Sequence, residues 1–261
     1  MTNLMERGFS KVTAGLRSLY EYLVLFGSLG LFGAAGLTFT LVGAVLYPLL
    51  PRRIGVRVGR LIMTAIFRPY LAIIQASGLV RCDLSALDEL PKDEPIIVAP
   101  NHPSLIDVVL IGSRLTNIAC IMKADIQDNI LFGGGARLAG YIRNDSTGNM
   151  VRSSVAELKN GSQLLIFPEG TRTTSPPVNR FKNAFGLIAR KSGVPVQTVF
   201  IETNTSFLGK GWRLMQKPKF PLIYKVTLGK RFEADDDTRA FVEELEKYYR
   251  EQLADKPAAK E

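Results

Sequence analysis

The amino-acid sequence predicts an α/β fold, a mixed sheet flanked by helices, with an N-terminal membrane-embedded helical segment. Residues 22–51 form a run of 30 positions without a charged side chain, whereas a membrane helix needs about 20 apolar residues. Beyond residue 80, short apolar runs alternate with stretches of helical periodicity, which is typical of a sheet flanked by helices. These patterns divide the chain into N-terminal membrane-anchoring and interfacial helices (1–80), an α/β domain (81–254) and a flexible tail (255–261).

The composition restricts the partners of the chain. Hydrophobic residues make up 46% of the sequence, and the formal net charge is +9. Such a charge calls for nucleic acid, an acidic membrane surface or a phosphate-bearing substrate. Because the sequence contains no zinc-finger, helix-turn-helix or RNA-binding aromatic signature, we expect no nucleic acid. Cys82 and Cys120 have no CxxC spacing, so we expect buried thiols in a reducing compartment rather than a metal site or a disulfide.

The uncharged run permits two arrangements in a membrane. One tilted span fits its length, and so do two short helices that form a hairpin within one leaflet. The run is too long for the hydrophobic region of a cleaved signal peptide. Glycines recur at every third position, where they would allow close helix packing or mark a bend: Gly27, Gly30, Gly33 and Gly36. Pro48 and Pro51 are expected to end the segment.

The flanking charges favour the hairpin. Basic residues lie on both sides of the run: Arg7, Lys11 and Arg17 before it, and Arg52, Arg53, Arg57 and Arg60 after it. Because basic residues prefer the cytoplasmic side, both flanks are expected there, and the denser downstream cluster places the following domain on the cytoplasmic face in either arrangement. The next stretch, residues 61–80, is apolar but interrupted. It fits either an interfacial helix or a core helix of the α/β domain.

Five strands and four helices are predicted in the α/β domain. The strands are expected at residues 95–100, 117–122, 163–167, 194–201 and 222–228. Helices are expected at 104–115, at 149–160 before Gly161, and at 183–192 before Gly193. A final amphipathic helix follows the acidic residues 235–237, and its buried face is predicted to contain Phe241, Leu245, Tyr248 and Leu253.

The single histidine of the chain follows the first predicted strand. It lies in Asn-His-Pro-Ser-Leu-Ile-Asp, residues 101–107. Catalytic groups in open α/β sheets gather where a strand ends and the next helix begins. On an ideal helix His102 and Asp107 would lie about 140° apart, but Pro103 favours a turn before the helix, which would let them meet. Asp107 would then accept the Nδ1 proton and leave Nε2 free as a general base.

A second polar segment follows another predicted strand. It reads Phe-Pro-Glu-Gly-Thr-Arg and occupies residues 167–172. Gly170 lets the backbone approach a ligand closely, and the planar guanidinium of Arg172 suits a phosphate. Glu169 is expected to hold this loop, or a substrate hydroxyl, rather than to transfer protons.

In this order, the two segments resemble the motifs of the glycerolipid acyltransferase family, which includes the 1-acylglycerol-3-phosphate acyltransferases. The resemblance covers residues 61–230. It implies an O-acyltransferase that moves a fatty acyl group from acyl-CoA or acyl carrier protein to a lysolipid hydroxyl. It also implies that His102 is the general base and that Asp107 orients it. Substrate binding would fall to the second motif: Glu169, Gly170, Thr171 and Arg172. No cofactor, metal or acyl-enzyme is expected.

A weaker resemblance concerns the acceptor. Residues 140–145, Gly-Tyr-Ile-Arg-Asn-Asp, are similar to a middle motif of the family, which closes with Asp-Arg in phosphatidate-forming members. Here Ser146 takes the place of that arginine, and Arg143 lies three residues earlier. Arg143 would bind substrate if its loop turns it inward. The missing arginine is a plausible phosphate ligand, so the departure leaves the reaction class intact and the acceptor open.

The sequence therefore predicts a membrane-bound enzyme whose catalytic domain lies on the cytoplasmic face, at the inner membrane if the chain is bacterial. Expected partners are membrane lipids, the lysolipid acceptor and the acyl donor. Lysophosphatidate is the leading acceptor, and another lysolipid, such as an amino-acid-linked one, is the alternative. Two other classes stay open: a thioester hydrolase, in which His102 activates water, and a non-catalytic lipid-binding protein, which would not need both His102 and Asp107.

Overall fold

The computed structural model describes residues 2–91, 94–129 and 133–254, with side chains from residue 12 onwards; the predicted tail lies outside these ranges. Its helices are α1 (Thr2–Leu49), α2 (Arg52–Ala76), α3 (Asp107–Gly112), α4 (Ala124–Gln127), α5 (Gly133–Leu138), α6 (Thr147–Lys159), α7 (Asn183–Ser192) and α8 (Thr238–Leu253). Its strands are β1 (Val80–Asp83), β2 (Ile97–Pro100), β3 (Ile118–Lys123), β4 (Ile142–Asn144), β5 (Gln163–Leu165), β6 (Val196–Thr203) and β7 (Leu222–Phe232), and a 3₁₀ helix covers Ser85–Glu89.

The uncharged segment is part of one continuous helix. α1 contains Pro48 in its last turn, and its portion Val12–Leu49 is long and apolar enough to cross a membrane. The hairpin predicted within residues 22–51 is therefore wrong, because the helix has no turn there. A continuous helix satisfies its backbone hydrogen bonds internally, which an apolar environment demands and which glycines spaced by three do not prevent. The chain turns only at Leu50 and Pro51, after which α2 begins.

α1 lies along the α/β domain rather than apart from it. Towards its N-terminal end, the Tyr20 hydroxyl donates to the carbonyl of Ser77 at 2.7 Å. In the middle, the ring of Phe32 packs against that of Tyr70 on α2, with centroids 5.4 Å apart. Towards its C-terminal end, α1 packs on α5. Contacts at Tyr20, at Phe32 and towards the C-terminal end thus attach α1 to the rest of the chain.

Glycine does allow close packing of α1, but at a different position from those predicted. A Cβ on Gly43 would collide with the backbone of Gly134 in α5, so the two bare backbones touch. Gly27, Gly30 and Gly33 instead have open space where a Cβ would stand. The repeat at every third residue is therefore not the packing surface.

α2 contributes one face to the core of the domain. Its buried residues include Phe67, Leu71 and Ile74, which pack in the hydrophobic core, whereas Leu61 and Ile73 on the opposite face are each 56% exposed. The core-helix interpretation of residues 61–80 therefore holds for one face of α2. The other face stays apolar and open to the surroundings, as an interfacial helix requires.

The seven strands form one mixed sheet in the order β1-β7-β6-β2-β5-β3-β4. All neighbouring strands pair in parallel except β6 and β7, which are antiparallel. β2 occupies the centre, and its side chains alternate between two cores: Ile97 and Ala99 face one, and Val98 faces the other. Because helices cover both faces, the predicted α/β fold with a mixed sheet is confirmed.

Several predicted bounds differ from the structure. β1 and β4 are missing from the prediction, since their three or four residues carry little apolar signal. The helix expected at residues 104–115 covers only Asp107–Gly112, because Ser104 forms turn contacts instead. In α8 the row Phe241, Leu245, Tyr249 and Leu253 is buried, and Tyr248 is only half-buried. Spacing by four keeps these side chains on one face.

Candidate active site

The candidate site lies at the carboxyl end of β2, the central strand. Asn101 follows β2 directly and is bound to the neighbouring strand β6: its Nδ2 donates to the carbonyl of Ile201 at 3.0 Å, and the Ile201 amide donates to its Oδ1 at 2.7 Å. After β2 has ended, this pair of hydrogen bonds of the Asn101 side chain continues the hydrogen-bond ladder between β2 and β6. The position of the next residue, His102, is therefore fixed by the sheet.

The predicted contact between His102 and Asp107 is present. The Nδ1 atom of His102 lies 2.9 Å from Oδ2 of Asp107, and the same oxygen accepts the amide of Ser104 at 2.8 Å. The two residues meet because Pro103 and the following residues form a turn and α3 begins only at Asp107. The histidine side chain is 12% exposed and the aspartate side chain is fully buried.

Burial governs the electrostatics of Asp107. Removal from water raises the pKa of Asp107, while the hydrogen bond from His102 and the amide of Ser104 act in the opposite direction. Its second oxygen, Oδ1, is buried without a hydrogen-bond partner among the described residues. A carboxylate held in this way accepts the Nδ1–H of His102 beside the amide of Ser104, and it favours the tautomer that leaves Nε2 with a lone pair.

An aromatic ring covers one face of the imidazole. The ring of Phe167 stacks on that of His102 with centroids 3.7 Å apart and an interplanar angle of 16°. This contact and the hydrogen bond to Asp107 together leave the imidazole little freedom to rotate. Such a fixed ring presents its Nε2 edge in a single direction.

Glu169 joins the two motifs. One carboxylate oxygen accepts the backbone amide of His102 at 3.0 Å and the hydroxyl of Thr173 at 2.7 Å, and the other accepts the amide of Asn179 at 2.8 Å. The residue is fully buried, and burial raises its pKa although all three donors favour the charged form. Glu169 therefore holds the loop, as expected from the sequence, and it does so through the backbone of His102.

Glu169→Gln tests this structural role. The new amide nitrogen would face a donor on one side, leaving a buried N–H unsatisfied, so we expect a loss of about 1–3 kcal/mol in the free energy of unfolding. Chemical denaturation of both proteins measures it. Thr173→Val, which removes one donor and leaves the carboxylate in place, should cost less. An unchanged stability for Glu169→Gln would show that these contacts do not hold the loop.

Gly170, Thr171 and Arg172 follow in a tight turn. Gly170 adopts a φ of +66°, a conformation that suits glycine, and its amide donates to the carbonyl of Phe167 at 2.9 Å. Thr171 is partly exposed beside it. Nη1 of Arg172 donates to the carbonyls of Leu208 and Gly209 at 2.8 and 2.7 Å. Burial lowers the pKa of this guanidinium, and the neighbouring Asp107 opposes that effect.

Arg143 is not brought together with His102. It lies on β4, the edge strand three positions from β2, and its guanidinium forms a bidentate ion pair with Asp128 at 2.7 and 2.9 Å. Its Nε atom also contacts Asp145 at 2.9 Å. The expectation that the loop turns Arg143 inward is therefore not met, because two nearby carboxylates already bind it.

A family comparison agrees with the geometry of the site. Residues 81–202, which contain both motifs, match the family model described as Acyltransferase. The matched part of the α/β domain, residues 81–202, is therefore an acyltransferase-family region. The resemblance seen in the sequence is confirmed, and the histidine–aspartate pair lies inside the matched region of the acyltransferase domain.

Two relatives and one solved structure show how far the similarity of this acyltransferase domain extends. The chain is 33% identical over 117 residues to the lyso-ornithine lipid O-acyltransferase of Pseudomonas aeruginosa, covering 43% of this chain and 45% of the relative. It is 30% identical over 140 residues to the chloroplastic 1-acyl-sn-glycerol-3-phosphate acyltransferase BAT2 of Brassica napus, covering 50% and 41%. The chain thus spans less than half the length of either relative.

The fold is shared with the 1-acyl-sn-glycerophosphate acyltransferase PlsC from Thermotoga maritima, whose crystal structure superimposes with a TM-score of 0.65. The identity is 23%, and the match covers 94% of this chain and 99% of that one. Because the match extends over nearly the whole chain, it includes the N-terminal helices as well as the acyltransferase domain.

Some contacts of the acyltransferase domain were not expected from the sequence. Phe167 stands inside a recognised motif, but nothing in the motif indicates stacking on His102. Ser104 also has a role: its hydroxyl donates to the carbonyl of Phe207 at 2.7 Å and so holds the loop between β6 and β7 against the site. Its place between His102 and Asp107 is the only sequence signal for that role. Asn179 carries no such signal.

Proposed function

We propose that the chain is a membrane-bound O-acyltransferase that moves a fatty acyl group from an acyl-CoA or acyl carrier protein thioester to a lysolipid hydroxyl. The observation that carries the proposal is the 2.9 Å contact between His102 and a fully buried Asp107 inside an acyltransferase-family domain. A histidine oriented by a buried carboxylate is the arrangement that general-base catalysis on a hydroxyl requires.

In the proposed reaction, the acyl group passes directly from the thioester to the acceptor oxygen, and His102 transfers the proton. Nε2 of His102 takes the proton of the acceptor hydroxyl while the oxygen attacks the thioester carbonyl. The resulting tetrahedral oxyanion collapses, the carbon–sulfur bond breaks, and the imidazolium returns the proton to the departing thiolate. Asp107 holds Nδ1–H throughout and stabilises the imidazolium, as the aspartate of a hydrolase triad does. No acyl-enzyme forms and no metal takes part.

The leading acceptor is 1-acylglycerol-3-phosphate. In this proposal Arg172 binds the phosphate with those of its donors that do not engage Leu208 and Gly209. The location of Arg172 supports this role, because the guanidinium lies within electrostatic reach of Asp107 and hence of the site.

A second acceptor is favoured by a specific observation. Both arginines expected at the phosphate already have partners, Arg143 with two carboxylates and Arg172 with two carbonyls, and Ser146 stands where phosphatidate-forming members have arginine. A lysolipid without a phosphomonoester, such as a lyso-ornithine lipid, needs no such pair. The relative from Pseudomonas aeruginosa is named as a lyso-ornithine lipid O-acyltransferase.

Arg172→Ala distinguishes the two acceptors. If Arg172 binds a phosphate, the lost charge-assisted contact costs about 1.5–3 kcal/mol, and kcat/KM for lysophosphatidate should fall about 10- to 150-fold while the KM for the donor changes little. The kcat/KM for a phosphate-free lysolipid should fall far less. Equal loss with both acceptors would show that Arg172 serves only the loop at Leu208 and Gly209.

Direct competition between equal amounts of the two lysolipids, followed by mass spectrometry, identifies the preferred acceptor in the unaltered chain. The same assay tests the rival hydrolase function. A thioester hydrolase releases free fatty acid at the same rate with or without lysolipid, whereas an acyltransferase consumes the donor in proportion to the acceptor supplied.

We further propose that α1 attaches the domain to the membrane by its outward face. One row of its side chains is exposed and apolar: Leu16, Leu19, Leu23, Phe26, Leu37, Leu41, Val45 and Leu49. The opposite face packs on the domain, so this row is the surface that faces lipid. Arg52 and Arg53 follow it, which by the positive-inside preference favours the cytoplasmic face, at the inner membrane if the chain is bacterial.

Leu23→Glu with Leu41→Glu tests the outward face. Both side chains are exposed, at 64% and 60%, so the substitutions should not unfold the domain. They should release the full chain from neutral phosphatidylcholine vesicles, because a charge in the apolar layer costs about 2.5–3.5 kcal/mol at its centre. Flotation with the vesicles measures this. The matched alanine pair should bind more weakly than wild type but remain bound; release of both pairs to the same extent would contradict a buried location.

A further inference from the structure

A large basic cleft lies away from the candidate active site. It has a volume of about 1480 Å³ and opens beside the edge strand β4, between the beginning of α2, α5 and α6. Among the described residues that line it, seven arginines and one glutamate supply the charged side chains. The net charge of the lining is therefore strongly positive.

Internal ion pairs neutralise only part of this charge. Arg60 is buried and binds Glu157 at 2.8 Å, and Arg143 binds Asp128 and Asp145. The five other arginines of the lining form no ion pair with any side chain in the described part of the chain. Arginines from three separate helices thus converge on one cleft, and none of these five is ion-paired with a carboxylate among the described residues.

The beginning of α2 increases the positive potential. Arg52 and Arg53 occupy its first turn, Arg57 follows one turn later, and the first turn contains no acidic residue. The N-terminus of a helix already carries a partial positive charge, so basic residues there are unfavourable unless an anion offsets them. Both the side chains and the helix terminus therefore favour a bound anion such as a phosphate.

The rim of the cleft is apolar and exposed. Tyr47 and Ile54, which line it, are 56% and 52% exposed, and Leu49 beside them is 71% exposed. Leu49 also belongs to the outward row of α1. A free soluble anion would leave them in water, whereas an amphiphile covers them while its headgroup meets the arginines. Arginine next to exposed apolar side chains is typical of surfaces at the headgroup level of a membrane.

The cleft is separate from the catalytic pair. Asn117 and Ser162, which line it, precede β3 and β5, whereas His102 follows β2. Because these three strands are parallel, Asn117 and Ser162 lie at the opposite end of the sheet from His102, about 20 Å away at 3.3 Å per residue. Arg143, which lines the cleft at the carboxyl end of β4, is three strands from β2, about 14 Å at 4.8 Å per strand. A group bound in the cleft therefore does not reach the reacting atoms.

We propose that this cleft binds the phosphate headgroup of an anionic membrane phospholipid, at a site distinct from that of the acyl acceptor. Arg52, Arg53 and Arg57 form one wall, and Arg152 of α6 stands on the other. Occupancy orients the domain on the leaflet and gives the chain a preference for anionic membranes that its apolar face alone cannot provide.

The test compares binding of the full chain to two vesicle populations, pure phosphatidylcholine and an equimolar mixture of phosphatidylcholine with phosphatidylglycerol. The triple variant Arg52→Gln, Arg53→Gln, Arg57→Gln should lose preference for the anionic vesicles on the order of 100-fold, since each basic residue near an anionic surface contributes about fivefold. The triple lysine variant keeps the charge and should keep the preference. A second control variant removes the same amount of charge outside the cleft: Lys191→Gln, Lys225→Gln, Lys247→Gln. It should also keep the preference for anionic vesicles.

Arg152→Gln alone supplies a second measurement that does not depend on folding of the triple variant, and it should reduce the preference about fivefold. The proposal would be overturned if the triple glutamine variants of the cleft arginines and of the distant lysines lost the preference for anionic vesicles equally, because the effect would then follow from net charge. It would also be overturned if inorganic phosphate displaced the anionic vesicles at equal phosphate concentration, which indicates a site for free phosphate. If the cleft variants lost binding to acyl carrier protein but kept the preference for anionic vesicles, the occupant would be an acidic protein and the proposal would be overturned.

Discussion

His102→Ala should lower turnover by about 10²- to 10⁴-fold, the usual effect of removing a general base. The chain has no other histidine that could take over the proton. The side chain lies at the end of a strand, and its neighbours Asn101 and Glu169 hold the backbone rather than the ring. The variant is therefore expected to fold and to remain on membranes. Initial rates of acyl transfer at saturating donor and acceptor measure the effect.

His102→Asn is the matched control. Its Nδ2 can still donate to Asp107, so that the hydrogen bond survives while the proton acceptor is lost. Both variants should then be impaired alike, which attributes the loss to the base and not to a disturbed loop. Near wild-type turnover in either variant would refute general-base catalysis by His102.

Asp107→Asn should reduce kcat by about 10⁴-fold if this pair behaves like the histidine–aspartate pair of a hydrolase triad. The asparagine can present an N–H to Nδ1, which favours the wrong tautomer and places a proton on Nε2. Two effects on stability oppose each other. Removing a costly, fully buried charge with an unpaired oxygen favours the variant, whereas the new N–H would face the amide of Ser104, so the melting temperature near neutral pH should change little.

The pH dependence follows from the raised pKa of Asp107. The folded protein binds this proton more tightly than the unfolded chain, so the contribution of Asp107 to stability is present below its unfolded pKa and is lost as the pH rises through the folded pKa. The melting temperature of Asp107→Asn relative to that of the wild type should thus be highest near neutral pH and fall on acidification. A variant that is both inactive and much less stable at neutral pH would indicate that Asp107 serves the fold rather than catalysis.

Local patterns were sufficient to predict the pair and much of the sheet. His102 and Asp107 are only five residues apart, and a strand end, a proline and a helix start between them allow the two side chains to meet locally. The strands β2, β3, β5, β6 and β7 were located to within a few residues because each is a buried apolar run. The short strands β1 and β4 were missed because they depend on pairing with β7 and β3 rather than on their own composition.

Contacts between distant segments could not be predicted in this way. Glu169 reaches the amide of His102 across 67 residues of sequence, and Phe167 covers the imidazole, because β5 pairs with β2 in the sheet. Whether Arg143 turns inward could not be predicted for the same reason: its ion-pair partner Asp128 is fifteen residues away along the chain. Likewise, the packing of α1 on α5 is a tertiary contact between distant segments.

The sequence by itself determined the contact between His102 and Asp107, the α/β class and the presence of an apolar N-terminal segment, since each depends on residues within one or two turns of helix or one strand. The tertiary structure alone decided which side chains support His102, where Arg172 and Arg143 point, and that one face of α1 is turned outward while the other is packed on the domain. Strand order and helix packing set those distances, and they bring together residues whose separation along the chain carries no local signal.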